Sequence, residues 1–587
     1  MRRSLTIGEA RISSDQDRFM TRFTSACLAL TLLAASAQAQ WFVERTSELF
    51  PRQQEYTNQV TVADVDGDGD LDIIWANGGG FSVAEPPLPA RLYINRLNEP
   101  TGTFVDESVV RLGNLIGIFR DVQAGDCDGD GDLDLVFAQD FLSPAKLLIN
   151  DGAGYFTDAS AERLPRMNLS SNHVAFVDVD NDGDLDLFFC NGGAYRQLAG
   201  VPRLFLNNGA GFYVDAPASM TPQAAIAGQM DCTFADVDED FDLDVVISGL
   251  VGTSQLWLNN GSGTFTRHLP FNGGQVAYSH DFGDLDGDGD FDLIGVSVLP
   301  EYLIRNNMPG PWNDISSLIS PNLTIDDNES RFFDYDNDGN ADLVVATLEY
   351  GVTPGMSVER VYRNLGPGAN PQFVEVQGIM PPGKDATLDL EVADLDGDGR
   401  FDIVTAQGEF GADFQNRIYM NESGPVDSRS PTIVRVENMP DATLVNGSAG
   451  PFAVRAIVTD ATTGDRGFDP KTIVLDAVLA NGDPLVVPMR WVGNTEWRGV
   501  IPLQSSCGTI QYSVAATDRA GNTATSALRA FSITATSAVV GDLDGDCKVD
   551  GADVAILLGA WGGAGADLNG DGTTDAADLG ILLGAWS

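Results

Sequence analysis

A nine-residue acidic pattern, first present as DVDGDGDLD at residues 64–72, occurs seven times along the chain. Each copy has Asp at positions 1, 3, 5 and 9, and six copies have Gly at position 6. Four carboxylates and the backbone carbonyl of position 7 can converge on one cation, while Gly at position 6 takes the positive φ of a sharp turn. Oxygen-only ligation favours a hard ion, and Ca²⁺ fits better than Mg²⁺ because it accepts about six to eight oxygens in flexible geometry. The predicted ligands are Asp64, Asp66, Asp68 and Asp72; Asp126, Asp128, Asp130 and Asp134; Asp178, Asp180, Asp182 and Asp186; Asp236, Asp238, Asp240 and Asp244; Asp284, Asp286, Asp288 and Asp292; Asp334, Asp336, Asp338 and Asp342; and Asp394, Asp396, Asp398 and Asp402.

These seven acidic loops, numbered one to seven in chain order, are not identical. Loop four has Phe241 at position 6, and a bulky residue at positive φ is costly, so we expect a weak or empty site there. Asn340 and Arg400 occupy position 7 of loops six and seven. Position 7 is predicted to ligate through its backbone carbonyl, so we expect both loops to bind a cation. A single copy would equally suit a solvated Asp-Gly turn, but seven copies in one register favour metal binding.

The acidic loops belong to a longer repeated unit, since they begin at intervals of 48 to 62 residues. Each unit has a short apolar run before the loop, a β-type run such as LDIIWA after it, and a run ending in Asn such as LYIN. Aromatic runs such as FVDES complete several units, and four short strands with Gly-rich turns are typical of one antiparallel propeller blade. The last unit lacks an outer strand, so we predict that the N-terminal strand at 41–46 completes it.

In motif, spacing and number, these units resemble the FG-GAP, or VCBS, repeats of integrin α-chain propellers and of many secreted bacterial proteins. The DxDxDGxxD loops of that family bind calcium between blade strands. The resemblance implies a mainly β chain whose residues 40–421 form a seven-bladed, calcium-stabilised propeller with up to seven ions.

Two further regions follow the repeats. Residues 422–431 are predicted to be a linker, and residues 432–537 contain β-type runs, among them FAVRAIVTD and TIQYSVAATD, at the spacing of a β-sandwich. The stretch YSVAATDRAGN resembles the last strands of immunoglobulin-like or fibronectin type III-like modules, which implies a spacer domain.

The tail at 541–587 contains two copies of an acidic loop followed by an apolar run of helical character, VAILLGAW and LGILLGAW. Each loop is predicted to bind one Ca²⁺ through positions 1, 3, 5, 9 and 12. The duplicated loop and helix resemble the type I dockerin, which implies a cohesin-like partner; a calcium-folded tail for anchoring is the alternative. The predicted ligands are Asp542, Asp544, Asp546, Asp550 and Asp553, then Asp567, Asn569, Asp571, Asp575 and Asp578.

Charge and the N-terminal residues indicate where the protein works. The formal net charge is −51 over 587 residues, which argues against nucleic acid or an anionic membrane surface as a partner. Residues 1–39 are predicted to be a signal peptide with its true start at Met20, an apolar core at 26–35 and an A-x-A cleavage site. No later stretch approaches about 18 apolar residues, so no transmembrane segment is predicted. We expect a secreted or cell-surface protein.

The cysteines do not form a disulfide framework that can be read from the sequence. Loss of Cys27 with the signal peptide would leave five cysteines, an odd number whose pairing is left open.

The chemistry-bearing residues outside the loops favour binding over catalysis. His173, His268 and His280 fall in separate units, and the sequence has no HExxH, G-x-S-x-G or P-loop pattern. Many of the carboxylates that a glycosidase could use lie in the metal loops, where a cation would engage them. We therefore predict a non-catalytic binding or adhesion protein with an extracellular protein or glycan ligand.

The predicted ligand surface is formed by variable loops at 76–91, 191–202, 349–360 and 408–417. The alternative is a polysaccharide-acting lyase or glycoside hydrolase on the propeller scaffold, targeted by the dockerin-like tail.

Overall fold

The computed structural model describes residues 40–586, apart from 82, 193–198, 224–225, 270–275, 349–358, 371, 384–385, 409–414, 446–447, 461, 464–471 and 536–538. The predicted signal peptide at 1–39 lies outside the described residues. The described chain is mainly β, with few helices and with many four-stranded sheets of the kind that make propeller blades. None of its described helices has the length and apolar character needed to cross a bilayer.

Seven sheets, here called the repeat sheets, each contain one acidic loop between their inner and second strands. The strands run antiparallel in the order inner, second, third and outer. The inner strands are Thr57–Ala63, Phe119–Gly125, Ser171–Val177, Ile226–Ala235, Ser279–Gly283, Asp327–Phe333 and Thr387–Ala393. The second strands are Asp72–Asn77, Asp134–Gln139, Asp186–Asn191, Asp244–Val251, Asp292–Val296, Asp342–Thr347 and Asp402–Gln407.

The third and outer strands complete each repeat sheet. The third strands are Arg91–Arg96, Lys146–Asn150, Arg203–Leu206, Gln255–Leu258, Tyr302–Arg305, Arg360–Asn364 and Arg417–Asn421. The outer strands are Thr103–Asp106, Phe156–Asp158, Val214–Asp215, Thr266–Arg267, Asn313–Asp314, Phe373–Glu375 and, for the seventh sheet, Phe42–Glu44. The predicted pairing of the N-terminal strand with the last unit is confirmed, because Phe42 pairs with Asn421.

The repeat sheets are arranged in a closed ring. Each inner strand contacts the inner strand of the next sheet, and the seventh contacts the first. Second strands are apolar on both faces because each is packed between two neighbours: Ile73 packs with Val404 of the seventh sheet, whereas Ile74 packs with Val122 of the second.

Several short helices and strands accompany the main strands of the ring. Three one-turn helices follow outer strands, at Thr46–Leu49, Ser108–Arg111 and Ser160–Arg163, and a 3₁₀ turn spans Ser316–Leu318. The remaining short strands are Leu88–Pro89, Ile116–Gly117, Ala199–Gly200, Ile319–Ser320 and Thr462–Thr463.

Residues 432–535 form two further sheets, the C-terminal sheets, over one shared core that includes Val454, Leu475 and Val514. The strands of the first are Thr432–Val436, Phe452–Thr459, Arg490–Gly493 and Glu496–Ile501. The strands of the second are Ala442–Leu444, Thr472–Val478, Pro484–Pro488, Gly508–Thr517, Thr523–Thr525 and Arg529–Ala535. The β-type runs that the sequence predicted here are all strands.

The tail contains two helices, Gly551–Gly559 and Ala576–Gly584, each directly after an acidic loop as predicted. A disulfide joins Cys507, beside the C-terminal sheets, to Cys547 in the first tail loop, a pairing that the sequence left open. The described cysteines Cys127, Cys190 and Cys232 are free and buried.

Candidate metal centre

Each acidic loop is wound around the carboxylate of its position 1. In loop one, Asp64 Oδ1 accepts the N–H of Gly67 and Oδ2 accepts the N–H of Gly69, both at 2.9 Å. Position 6 has positive φ in all seven loops, from 65° at Phe241 to 98° at Gly131, which confirms the predicted turn. Phe241 therefore holds an aromatic side chain in a region that disfavours it.

Position 4 is a second left-handed position, which sequence reasoning missed. Its φ is positive in all seven loops, from 56° at Asn337 to 81° at Gly129. Only loop four departs from Gly or Asn here, with Glu239. Gly and Asn tolerate this region best, so their recurrence at position 4 was the signal that could have revealed it.

Position 9 anchors the loop to the sheet. Asp72 Oδ1 accepts the N–H of Asn95 at 2.8 Å, and Oδ2 accepts the N–H of Val65 at 3.2 Å. The same two bonds occur in the other six loops. Burial raises the pKa of Asp72 and of Asp292 to about 8, because removal from water penalises the charged form. A cation bound beside these carboxylates would favour their charged form and lower their pKa.

The carboxylate of position 3 carries the strongest sign of a bound cation. Its Oδ1 atom is buried and lacks a hydrogen-bond partner among the described residues in loops one to six, at Asp66, Asp128, Asp180, Asp238, Asp286 and Asp336. In loop two the other oxygen, Oδ2 of Asp128, accepts from Arg163 at 2.9 Å, so only Oδ1 is left over. A buried carboxylate oxygen is costly to leave unpaired, so the donor set fits a hard cation such as Ca²⁺.

The predicted ligands converge in at least five loops. In each of these, oxygens of three carboxylates lie within 4.8 Å of one another. Positions 1 and 3 belong to every group, with position 5 or position 9 as the third member. The groups are Asp64, Asp66 and Asp72; Asp126, Asp128 and Asp130; Asp178, Asp180 and Asp186; Asp236, Asp238 and Asp244; and Asp284, Asp286 and Asp288.

An Asn within one residue of the end of the third strand connects neighbouring loops, a role that sequence analysis did not assign. Asn95 Nδ2 donates to the carbonyl of Leu71 in loop one at 3.0 Å and to that of Leu395 in loop seven at 2.8 Å. Asn150 Nδ2 likewise donates to the carbonyl of Val65 at 2.8 Å. In the first six repeat sheets the amide thus ties one acidic loop to the loop of the preceding sheet.

The C-terminal sheets dock on the face of the ring that carries the acidic loops, and this contact was also missed. Arg429 of the segment 422–431 and five arginines of residues 432–535 reach the loops; the five are Arg435, Arg455, Arg490, Arg498 and Arg519. Arg519 donates to the carbonyl of Gly69 in loop one, and Arg490 to that of Gly129 in loop two, both at 2.8 Å. The guanidinium groups offset part of the negative charge that the loops concentrate.

Loop four is distinct because an arginine donates a hydrogen bond to its position-1 carboxylate, whereas the arginines bonded to loops one, two, five and six contact position 3 or 5. Arg435 Nη2 donates to Asp236 Oδ2 at 2.9 Å. Arg455 Nη1 donates to Asp242 Oδ1 at 3.1 Å and to the carbonyl of Phe241, above whose ring its guanidinium lies at 5.5 Å. A guanidinium on the position-1 carboxylate supplies charge that a metal ion supplies elsewhere, which supports the expectation of a weak site in this loop.

We predict that Phe241→Gly combined with Arg435→Gln adds one calcium ion per chain. Glycine removes the strained side chain, and glutamine removes the competing positive charge from Asp236. Native mass spectrometry of wild type and variant counts the ions. Arg490→Gln, which removes an arginine from loop two, is the matched control and should not raise the count. An unchanged count in the double variant would contradict this account of loop four.

Without metal, we predict that stability rises as the pH falls from about 8 to about 5. Burial raises the pKa of Asp72 and of Asp292 to about 8 and that of Asp342 to about 9, far above the value of about 4 in an unfolded chain. In this window the folded state holds protons that the unfolded state releases, so acid favours folding. Calcium competes with these protons, so the difference between calcium and EDTA should narrow in acid. Thermal unfolding in both conditions checks this, and acid destabilisation in EDTA would refute it.

The two tail loops repeat one geometry. Asp542 accepts the N–H groups of Gly545 at 2.7 Å and Cys547 at 2.9 Å, and the second loop has the same bonds to Asp567. Asp553 at position 12 accepts the N–H groups of Leu543 and Asp550 at 2.7 and 2.8 Å, and thereby completes a capping box with Asp550, the N-cap of its helix. Asp578, at position 12 of the second loop, makes the same bonds. Position 12 therefore binds the backbone of the loop and of the helix start in both copies.

Comparison with protein-family models supports the repeated unit that the sequence shows. A family model described as FG-GAP-like repeat matches residues 64–137, 126–189, 236–295 and 334–405, so the chain contains FG-GAP-like repeats. A search of curated proteins found no match. Solved structures similar to the chain include an Agrocybe aegerita lectin that specifically recognises non-reducing terminal N-acetylglucosamine. The lectin is 18% identical, with 57% of this chain and 84% of the lectin covered, and the TM-score is 0.39. The rhamnogalacturonan lyase YesW is 17% identical, with 67% of this chain and 77% of the lyase covered, and a TM-score of 0.39.

Proposed function

We propose that the chain is a secreted or cell-surface calcium-binding protein that binds other molecules without catalysing a reaction, on a seven-bladed propeller. The observation that carries the proposal is the seven-fold recurrence of an acidic loop whose position-3 Oδ1 atom is buried in six copies and has no hydrogen-bond partner in the part of the chain that the structure describes. The loops lie where neighbouring sheets meet, tied by the Asn amides, so the metal ions serve the fold.

The ligand surface of the ring is the face opposite the acidic loops. The C-terminal sheets cover the acidic-loop face, whereas the variable loops join second to third strands at the other end of each sheet. Of these predicted surface loops, residues 193–198, 349–358 and 409–414 lie outside the described residues, while most of 76–91 is described. We infer that a protein or glycan ligand contacts this face, and that the C-terminal sheets form an immunoglobulin- or fibronectin-like spacer.

The tail is proposed to attach the protein to a partner as a dockerin-like module. Its two copies present matching apolar side chains to solvent: Leu558 and Leu583 are each 53% exposed, and Trp561 and Trp586 are 48% and 52% exposed. Such a repeated apolar pair fits a docking surface for a cohesin-like module, with an anchoring role as the alternative.

A binding screen against glycans and extracellular proteins, run with calcium and with EGTA, tests the proposal. We expect at least one ligand that binds only with calcium, and we expect Trp561→Ser with Trp586→Ser to abolish tail binding alone. Cleavage of a polysaccharide at a rate lost on one substitution in the ring would instead establish the enzyme alternative.

A further inference from the structure

The ring encloses a central cavity of about 390 Å³ at the end of the inner strands remote from the acidic loops. Each inner strand contributes the residue four positions before its last, and these seven residues are here called the cavity ring. In six strands a β-bulge adjoins this residue, and bulges re-aim side chains. The cavity ring consists of Gln59, Asp121, His173, Asp231, Ser279, Glu329 and Asp389.

The cavity is strongly acidic. Its walls carry four carboxylates of the cavity ring and that of Asp326, against the single guanidinium of Arg120. Arg120 is already engaged, since it donates to Asn58 Oδ1 at 2.8 Å and lies 3.6 Å from Asp140. Arg331, which does not line the cavity, is bonded to Glu329 at 2.7 Å and lies 3.7 Å from Asp389. A surplus of negative charge in an enclosed site attracts cations and repels anions.

The carboxylates are held in place by the backbone of the neighbouring sheet. Asp121 Oδ2 accepts the N–H of Val174 at 2.7 Å, and Asp389 Oδ2 accepts the N–H of Val60 at 2.7 Å. Asp231 Oδ2 accepts the N–H of His280 at 2.9 Å. These bonds fix the orientation of the carboxylates before any ligand arrives, and such preorganisation lowers the cost of binding.

A buried hydroxyl points independently to a ligand in the cavity. Ser279 lines the cavity and is only 5% exposed, yet its Oγ has no hydrogen-bond partner among the described residues. A buried hydroxyl without a partner costs free energy, and an N–H donor in the cavity would satisfy it.

The remaining wall is apolar and aromatic. Tyr56, Tyr278 and Leu388 line the cavity beside the carboxylates. Such surfaces suit a hydrocarbon group, and aromatic rings also attract organic cations. The volume lies in the range of about 300 to 1,000 Å³ that is usual for small-molecule sites.

We propose that this cavity binds a small organic amine. The ammonium group would contact the carboxylates and the Ser279 hydroxyl, and the hydrocarbon part would pack against Tyr56, Tyr278 and Leu388. The cavity lies at the same end of the ring as the ligand surface proposed above, and Phe81 of the 76–91 loop lines it. Amine binding in the cavity does not require a protein or glycan ligand on that face, so a screen without hits would leave this inference standing.

Isothermal titration calorimetry of the full chain, loaded with calcium, tests the site with pentane-1,5-diamine. Salt near 150 mM screens non-specific attraction to the acidic surface. We expect one binding site for the diamine and at least tenfold weaker binding of the uncharged pentane-1,5-diol. Absent diamine binding, or equal affinity for the diol, overturns the proposal. Displacement of the diamine by added CaCl₂ also overturns it, because the cavity would then be a site for inorganic cations.

Substitutions of cavity residues test whether the diamine binds in the cavity. Asp389→Asn and Asp231→Asn should each weaken diamine binding at least tenfold, whereas Glu162→Gln removes an exposed carboxylate from the outside of the ring and should not. Ser279→Ala removes only the unpaired hydroxyl, so it should fold normally and weaken binding several-fold; Ser279→Leu fills part of the cavity and should weaken it further. If the Asp variants do not fold, diamine binding unchanged in both Ser279 variants overturns the proposal.

Discussion

Removal of calcium is expected to lower the unfolding temperature of the repeat ring by about 10 °C or more. A site filled at about 100 times its Kd adds about 2.7 kcal/mol to the free energy of unfolding, and several sites act on one closed ring. Each kcal/mol corresponds to about 2–4 °C in a domain of roughly 150–250 residues. Differential scanning calorimetry in CaCl₂ and in EGTA measures the shift.

Magnesium provides the control for this experiment. Mg²⁺ dehydrates reluctantly and prefers strict octahedral geometry, so it should restore little of the loss at equal concentration. An unfolding temperature that is the same in CaCl₂ and EGTA would show that the acidic loops do not stabilise the ring through metal.

Replacement of a position-9 aspartate is expected to be nearly as damaging, and to remain so without calcium. Asp72 is fully buried, and Asp72→Ala leaves the N–H groups of Asn95 and Val65 unpaired. Each unpaired buried group costs about 1–3 kcal/mol, so we expect a loss of about 3 kcal/mol or more. Urea denaturation in CaCl₂ and in EGTA measures it.

Two variants of the same loop separate the anchor from the metal site. Asp70→Ala changes position 7, which is predicted to ligate through its carbonyl, so it should cost little in either condition. Asp66→Ala removes the position-3 Oδ1 atom and also the pair of Oδ2 with Arg111 at 3.1 Å, so it should keep a cost in EGTA but cost clearly more in CaCl₂. If Asp72→Ala were harmless in EGTA, position 9 would be a metal ligand without a structural role.

The sequence was sufficient for features that depend on local pattern. We could predict the strands around each loop, the positive φ of position 6 and the closure of the ring by Phe42–Glu44. Each of these depends on a pattern within one repeat: apolar alternation, turn residues or a missing outer strand. The tail helices were likewise predictable from an apolar run directly after an acidic loop.

Features that depend on contacts between distant segments could not be predicted. Arg435 and Arg455 are unremarkable strand residues in the sequence, and only docking of the C-terminal sheets brings them to loop four. The Cys507–Cys547 disulfide had no spacing rule to identify it among five cysteines. The cavity ring required knowledge of the common register and of the bulges that aim its side chains inward.

Native mass spectrometry of the calcium-loaded chain counts the ions that the acidic loops bind. We expect about eight ions per chain, from the six ring loops other than loop four and the two tail loops, with one ion lost in Asp66→Ala. A count of two or fewer, unchanged by Asp66→Ala, would contradict this expectation.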